Sequence, residues 1–137
     1  MTVTKTYLKD LTYKINGACI EVHKIMGPGL LENVYHNCLK EELKLRNINF
    51  KSEFHVPVKY KGVTIDNDYR CDFLIEDIII LEIKSVSSFS DIHRAKVMNY
   101  MNLLKKPKGI LVNFNVGNLY REGQETFVNK LFENLPD

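Results

Sequence analysis

Arg70-Cys71-Asp72-Phe73-Leu74-Ile75, followed after Glu76-Asp77-Ile78 by Ile79-Ile80-Leu81-Glu82-Ile83-Lys84, decides the fold. Side chains alternate between the two faces of a strand. On that pattern Cys71, Phe73, Ile75, Ile79, Leu81 and Ile83 form one wholly apolar face that packs on a core. The other face holds Arg70, Asp72, Leu74, Ile80, Glu82 and Lys84, apolar near the turn and charged at the far end. For the two apolar rows to share a face, odd positions must pair with odd. The simplest such register sets Ile75 opposite Ile79 across a loop of Glu76, Asp77 and Ile78. Asp72 then falls opposite Glu82, and Arg70 opposite Lys84. A two-residue turn at Glu76-Asp77 would send Asp72 and Glu82 to opposite faces.

Directly opposed residues have Cβ atoms roughly 5 Å apart. Two carboxylates held that close repel unless positive charge lies between them, and a hard divalent cation with oxygen ligands supplies it. Lys84 adds a point charge on the same face as Glu82. This set suits phosphodiester hydrolysis: a metal polarises the phosphate and lowers the pKa of a bound water, while the lysine orients that water and stabilises developing charge. The plainer alternative is that Lys84 only forms ion pairs with Glu82 or Asp72. Charges on one face of an otherwise apolar hairpin are costly to bury, which favours a functional role.

Outward from the hairpin, helical spacing of Leu8, Leu11, Ile15, Ala18, Cys19, Val22 and Met26 predicts a helix over 6–26, ended by Gly27-Pro28-Gly29. A second helix is predicted over 30–46, with Leu31, Val34, Tyr35, Cys38, Leu39 and Leu43 as its stripe. Period-two alternation then gives a strand over 54–60, edge-like or bulged at Pro57. A second strand follows over 63–75, interrupted near Asp66-Asn67-Asp68, and a third from 78 or 79 to 86. Ser90 or Asp91 caps a third helix through Leu104, and Ile110-Leu111-Val112 forms a strand. Leu119-Tyr120-Arg121 reads as a last strand and 124–135 as helix. A helix crossing between the third and fourth strands implies that they are parallel, so the sheet is mixed and flanked by helices.

The 137 residues suffice for one domain, taken as 1–137. Three cysteines with no C-x-x-C pair argue against a disulfide framework or a zinc site. The N-terminal stretch lacks a signal-peptide core and no apolar run is long enough to span a bilayer, so a cytoplasmic protein without membrane attachment is expected. A net charge of +2 is too small to argue nucleic-acid binding by itself. Lys105, Lys106 and Lys108 read as a solvated loop end that is also able to meet a phosphate backbone.

Gly29-Leu30-Leu31-Glu32-Asn33-Val34-Tyr35 fits G-x-x-E-x-x-Y. With Tyr69-Arg70-Cys71-Asp72-Phe73-Leu74 and Ile80-Leu81-Glu82-Ile83-Lys84, it resembles the GxxExxY protein family, a branch of the PD-(D/E)XK nuclease superfamily. The resemblance implies a restriction-endonuclease-like αβββαβ core, here with an extra N-terminal helix. It implies Asp72, Glu82 and the Ile83 carbonyl as ligands of Mg²⁺ or Mn²⁺, Lys84 as the catalytic lysine and Glu32 as an additional catalytic and metal-binding carboxylate. Arg70, His93, Lys96 and Tyr100 are candidate substrate contacts. His93, Lys96 and Tyr100 share one helical stripe at spacings of three and four.

Two departures stand out. Cys71 precedes Asp72 where the superfamily name implies proline. Lys96 stands where the family's H-x-x-Q-x-x-N-Y pattern has glutamine. The expected function is metal-dependent hydrolysis of phosphodiesters in nucleic acid, DNA first, with a homodimer the simplest way to cut both strands. The alternative is a catalytically inactive nuclease-fold module that binds nucleic acid or a protein partner. By local sequence alone Glu32 is a helix-start residue, Tyr35 is core with a hydroxyl within reach of the site, and His93 divides between capping and phosphate contact.

Overall fold

A computed structural model describes residues 2–137. Helix α1 (Lys5–Met26) starts where Thr4 accepts the Tyr7 N–H and ends at Gly27, whose φ of 69° suits glycine. Helix α2 (Glu32–Leu45) follows. Strands β1 (Phe50–His55), β2 (Val58–Tyr60), β3 (Val63–Ile65), β4 (Arg70–Ile75) and β5 (Ile79–Lys84) lead to helix α3 (Asp91–Leu104), strand β6 (Lys108–Asn113), the turn α4 (Leu119–Glu122), strand β7 (Gln124–Val128) and the turn α5 (Lys130–Glu133). Five strands form one sheet in the order β1-β4-β5-β6-β7; β2 and β3 form a separate ribbon. Among the described residues only β5 and β6 pair in parallel, so the sheet is mixed as expected.

The hairpin register is the predicted one: Ile75 pairs with Ile79, Leu74 with Ile80 and Phe73 with Leu81. Glu76 and Asp77 take left-handed backbone at φ 50° and 59°, and the Ile78 N–H closes onto the Ile75 carbonyl. Phe73, Ile75, Ile79, Leu81 and Ile83 pack beneath α1 and α2 with Leu8, Ile15, Tyr35 and Leu39. Leu74, Ile80 and Leu111 pack on the other side beneath Val97, Tyr100 and Met101 of α3. The central strands are thus covered on both faces, as their nearly unbroken apolar runs require. The face expected to be mixed is therefore core near the turn.

Close packing of α3 depends on Gly109. A Cβ there would lie 2.6 Å from Val97 Cγ1 and 2.7 Å from Met101 Sδ. Gly109→Ala is expected to lower stability by about 1–3 kcal/mol, the usual range for overpacking a core. Urea unfolding measures this; an unchanged midpoint would mean that α3 shifts freely.

Several expectations need correction. The strand read over 54–60 breaks at Val56-Pro57, because proline offers no N–H to a ladder. The Val56 N–H goes to the Tyr69 carbonyl and the chain leaves the sheet to form the β2–β3 ribbon. The interruption near 66–69 is present. At the C-terminal end the order is reversed: 119–122 is helical, capped by the Asn118 side chain, and 124–128 is a strand pairing with β6. Thr126, Phe127 and Val128 suit a strand, and an open edge of β6 decided it over local pattern. Among the described residues no helix is long and apolar enough to cross a membrane.

Candidate active site

The β4–β5 ladder stops at Phe73–Leu81, one step short of Asp72 and Glu82. Asp72 is also missing from the β1–β4 ladder, although Phe73 and Cys71 on either side pair with Ser52 and Phe54. Across from it, Glu53 has left-handed backbone at φ 51°. The alternation of faces breaks here: Cys71 joins the core under α3, beside Leu74, instead of the row of Phe73 and Ile75. Arg70 therefore does not stand opposite Lys84 as predicted. It pairs with His55, and its exposed guanidinium donates to the Tyr69 carbonyl.

Side chains replace the missing ladder bonds. The Asp72 N–H donates to Glu82 Oε2 at 2.7 Å, and the Ile83 N–H donates to Asp72 Oδ2 at 2.9 Å. Each carboxylate thus commits one oxygen to the opposite strand's amide, which holds the two side chains together while the strands splay.

Glu82 is 1% exposed. Its Oε1 has no hydrogen-bond partner among the described residues, and Lys96 Nζ lies 3.6 Å away. Burial first, then the neighbouring Asp72 carboxylate, push the Glu82 carboxyl up to about 8.

Lys84, the last residue of β5, is largely buried, and its Nζ lies 4.0 Å from Glu32 Oε1. Glu32 opens α2, where a carboxylate is favoured by the helix dipole. Its position follows from the turn before it. The Tyr35 hydroxyl donates to the Gly27 carbonyl at 2.6 Å and accepts the Leu30 N–H at 3.1 Å. The Tyr35 ring stacks on Phe114 at 4.6 Å, and Ser85 Oγ donates to the Leu30 carbonyl at 2.6 Å. The tyrosine of the G-x-x-E-x-x-Y motif is therefore a latch on the turn that delivers Glu32, and its hydroxyl does not point to the carboxylates.

The α3 stripe divides by role. His93 Nδ1 accepts the Ser90 N–H while Ser90 Oγ accepts the His93 N–H, a reciprocal helix cap. Desolvation, then the charges of Lys84 and Lys96, lower the His93 pKa, which favours the neutral ring; with Nδ1 taken by the Ser90 N–H, Nε2 is the nitrogen left to donate. Tyr100 is core, its ring 5.4 Å from Lys96 Nζ. Of the three, Lys96 is the one that meets the acidic pair, at Glu82. The basic cluster lies elsewhere: Lys108 pairs with Ile79 at the turn end of β5, roughly 10 Å along the strand from Glu82. Lys108 is itself buried, and Lys106 faces Asp77 at 3.6 Å.

Two supporting residues escaped the sequence-based expectation. Asn113, 2% exposed, accepts the Val86 and Asn115 N–H groups and donates to the Val86 carbonyl, fixing the loop that leaves Lys84. Ser85 is the other. An asparagine closing the apolar run Gly109-Ile110-Leu111-Val112 was the available signal.

Among the described residues no three His, Cys, Asp or Glu side chains are gathered closely enough to hold a metal ion. The donor chemistry nevertheless fits a hard cation: two adjacent carboxylates, one with a buried oxygen lacking any hydrogen bond, beside a strand carbonyl at Ile83. The set is compatible with a cation that completes its shell with water or substrate oxygens.

A mixed sheet with helices on both faces and carboxylates at a splayed hairpin defines a restriction-endonuclease-like fold. The model of the PD-(D/E)XK nuclease superfamily matches residues 9–126, and the chain belongs to that superfamily. No curated protein and no solved structure matches the chain.

Proposed function

We propose that the protein is a metal-dependent nuclease that hydrolyses phosphodiester bonds, with DNA as its substrate. The observation that carries this reading is the mutual bonding of Asp72 and Glu82, which holds two carboxylates together beside Lys84 at a place where the sheet opens. In this reading Asp72, Glu82 and the Ile83 carbonyl hold Mg²⁺ or Mn²⁺, with Glu32 joining from α2. The bound ion would polarise the phosphate and acidify a water. Lys84 orients that water and offsets negative charge on the phosphorane-like transition state. Lys96 and the His93 Nε2–H face the entering phosphate, and the G-x-x-E-x-x-Y motif supports assigning the chain to the GxxExxY branch. Cutting both strands of a duplex would call for two copies.

A second reading has a specific observation in its favour. Lys96 already places a cation 3.6 Å from Glu82, as a non-catalytic binding module would. Incubating the protein with duplex DNA, single-stranded DNA and RNA, with Mg²⁺, Mn²⁺ or EDTA, separates the two. Metal-dependent cleavage that disappears in Asp72→Asn is expected. Binding without cleavage by the wild type would favour the module.

A further inference from the structure

Lys96 makes a contact that the proposed chemistry does not require. Its ammonium lies 3.6 Å from Glu82 Oε1, the one oxygen of the carboxylate pair that is buried and without a hydrogen bond. Glu82 Oε2 is committed to the Asp72 amide, so a cation approaching Glu82 has Oε1 as its point of entry. The lysine does not reach there by chance of exposure. It rises from α3 over the buried Tyr100 ring, with Nζ 5.4 Å from the ring centroid, and its side chain is 39% exposed. The stem is thus braced on an aromatic face.

We infer that Lys96 is a resident counter-cation for Glu82 Oε1, which a divalent ion must displace in order to bind there. The inference rests on the nuclease reading of the site. An amide at this position would place no charge beside Oε1. The ammonium instead competes for the oxygen and repels an incoming ion, and both effects weaken metal binding. At separations of a few ångströms a single unit charge at a half-buried site is enough to alter affinity by an order of magnitude or more.

The test is calorimetric titration of Mn²⁺ at pH 8.5 into wild type, Lys96→Gln, Lys96→Met and Lys96→Arg. The two neutral variants should bind at least about tenfold tighter than wild type, and Lys96→Arg should stay near it. Equal or weaker binding by a folded neutral variant overturns the inference. Should both neutral variants fail to fold, wild type answers alone: the ¹³Cε resonance of Lys96 should shift on saturation with Mg²⁺, and an unmoved resonance overturns the inference. Failure of the parent reading looks different. No protein, wild type included, would then take up metal, and the inference would fall with it.

Discussion

Lys84→Ala should reduce metal-dependent cleavage by about 10²–10³-fold, the loss typical of removing one preorganised electrostatic partner of a transition state, while leaving Mn²⁺ affinity undiminished, because removing a nearby positive charge does not weaken the hold on a cation. The asymmetry follows from geometry. The carboxylates are held by each other's strand amides, so removing the lysine leaves them in place. Lys84 touches Glu32 only at 4.0 Å, a weak tie whose loss costs little stability. Single-turnover cleavage measures the first quantity and calorimetry the second. Equal cleavage by Lys84→Ala would remove the lysine from the chemistry; a large drop in metal affinity would make it a structural residue of the metal site.

Glu82→Gln is the other change with a large expected effect, and it acts in two directions. Metal affinity should fall by more than the roughly 10–100-fold that loss of a supporting partner costs a metal site. Stability should respond with the opposite sign. Burial and Asp72 raise the Glu82 carboxyl from 4.5 to about 8. Between those values the folded protein holds a proton that the unfolded chain has released. Glu82 therefore contributes stability that is complete below pH 4.5 and lost progressively as pH rises through about 8. The slope is at most about 1.4 kcal/mol per pH unit, levelling off above the folded value. Glutamine has no such dependence. The wild-type Tm in EDTA should fall relative to Glu82→Gln between pH 5 and pH 8, by a few °C per unit, and then run parallel. Parallel curves across the whole range would mean that Glu82 is not raised.

Much of this arrangement is legible in the amino-acid sequence. The odd-with-odd register of 73–81, the three-residue turn and the parallel β5–β6 pair all follow from alternation and a crossover helix. The site was legible as a neighbourhood, not as a mechanism of support. Strict alternation cannot anticipate that Asp72 drops out of both ladders, because that depends on left-handed backbone at Glu53 in a different strand. Nor does a helical stripe reveal which of its members reach inward: His93 caps, Tyr100 is core and Lys96 meets Glu82. The C-terminal segment was misread because its conformation is set by an edge of β6 that local sequence does not announce.

The side-chain bonds that replace the ladder at Asp72 and Glu82 bear on what a motif can signify. A side-chain oxygen that caps a neighbouring strand's amide helps hold the open end of the hairpin, whether or not any substrate is ever cut. Selection for a folded chain would then keep a hydrogen-bond acceptor at these two positions, acid or amide, in descendants that had abandoned catalysis. Lys84 has no such second duty. Across descendants of this protein, its retention would track chemistry, as would the negative charge at 72 and 82, whereas a bare acceptor at those two positions would track folding.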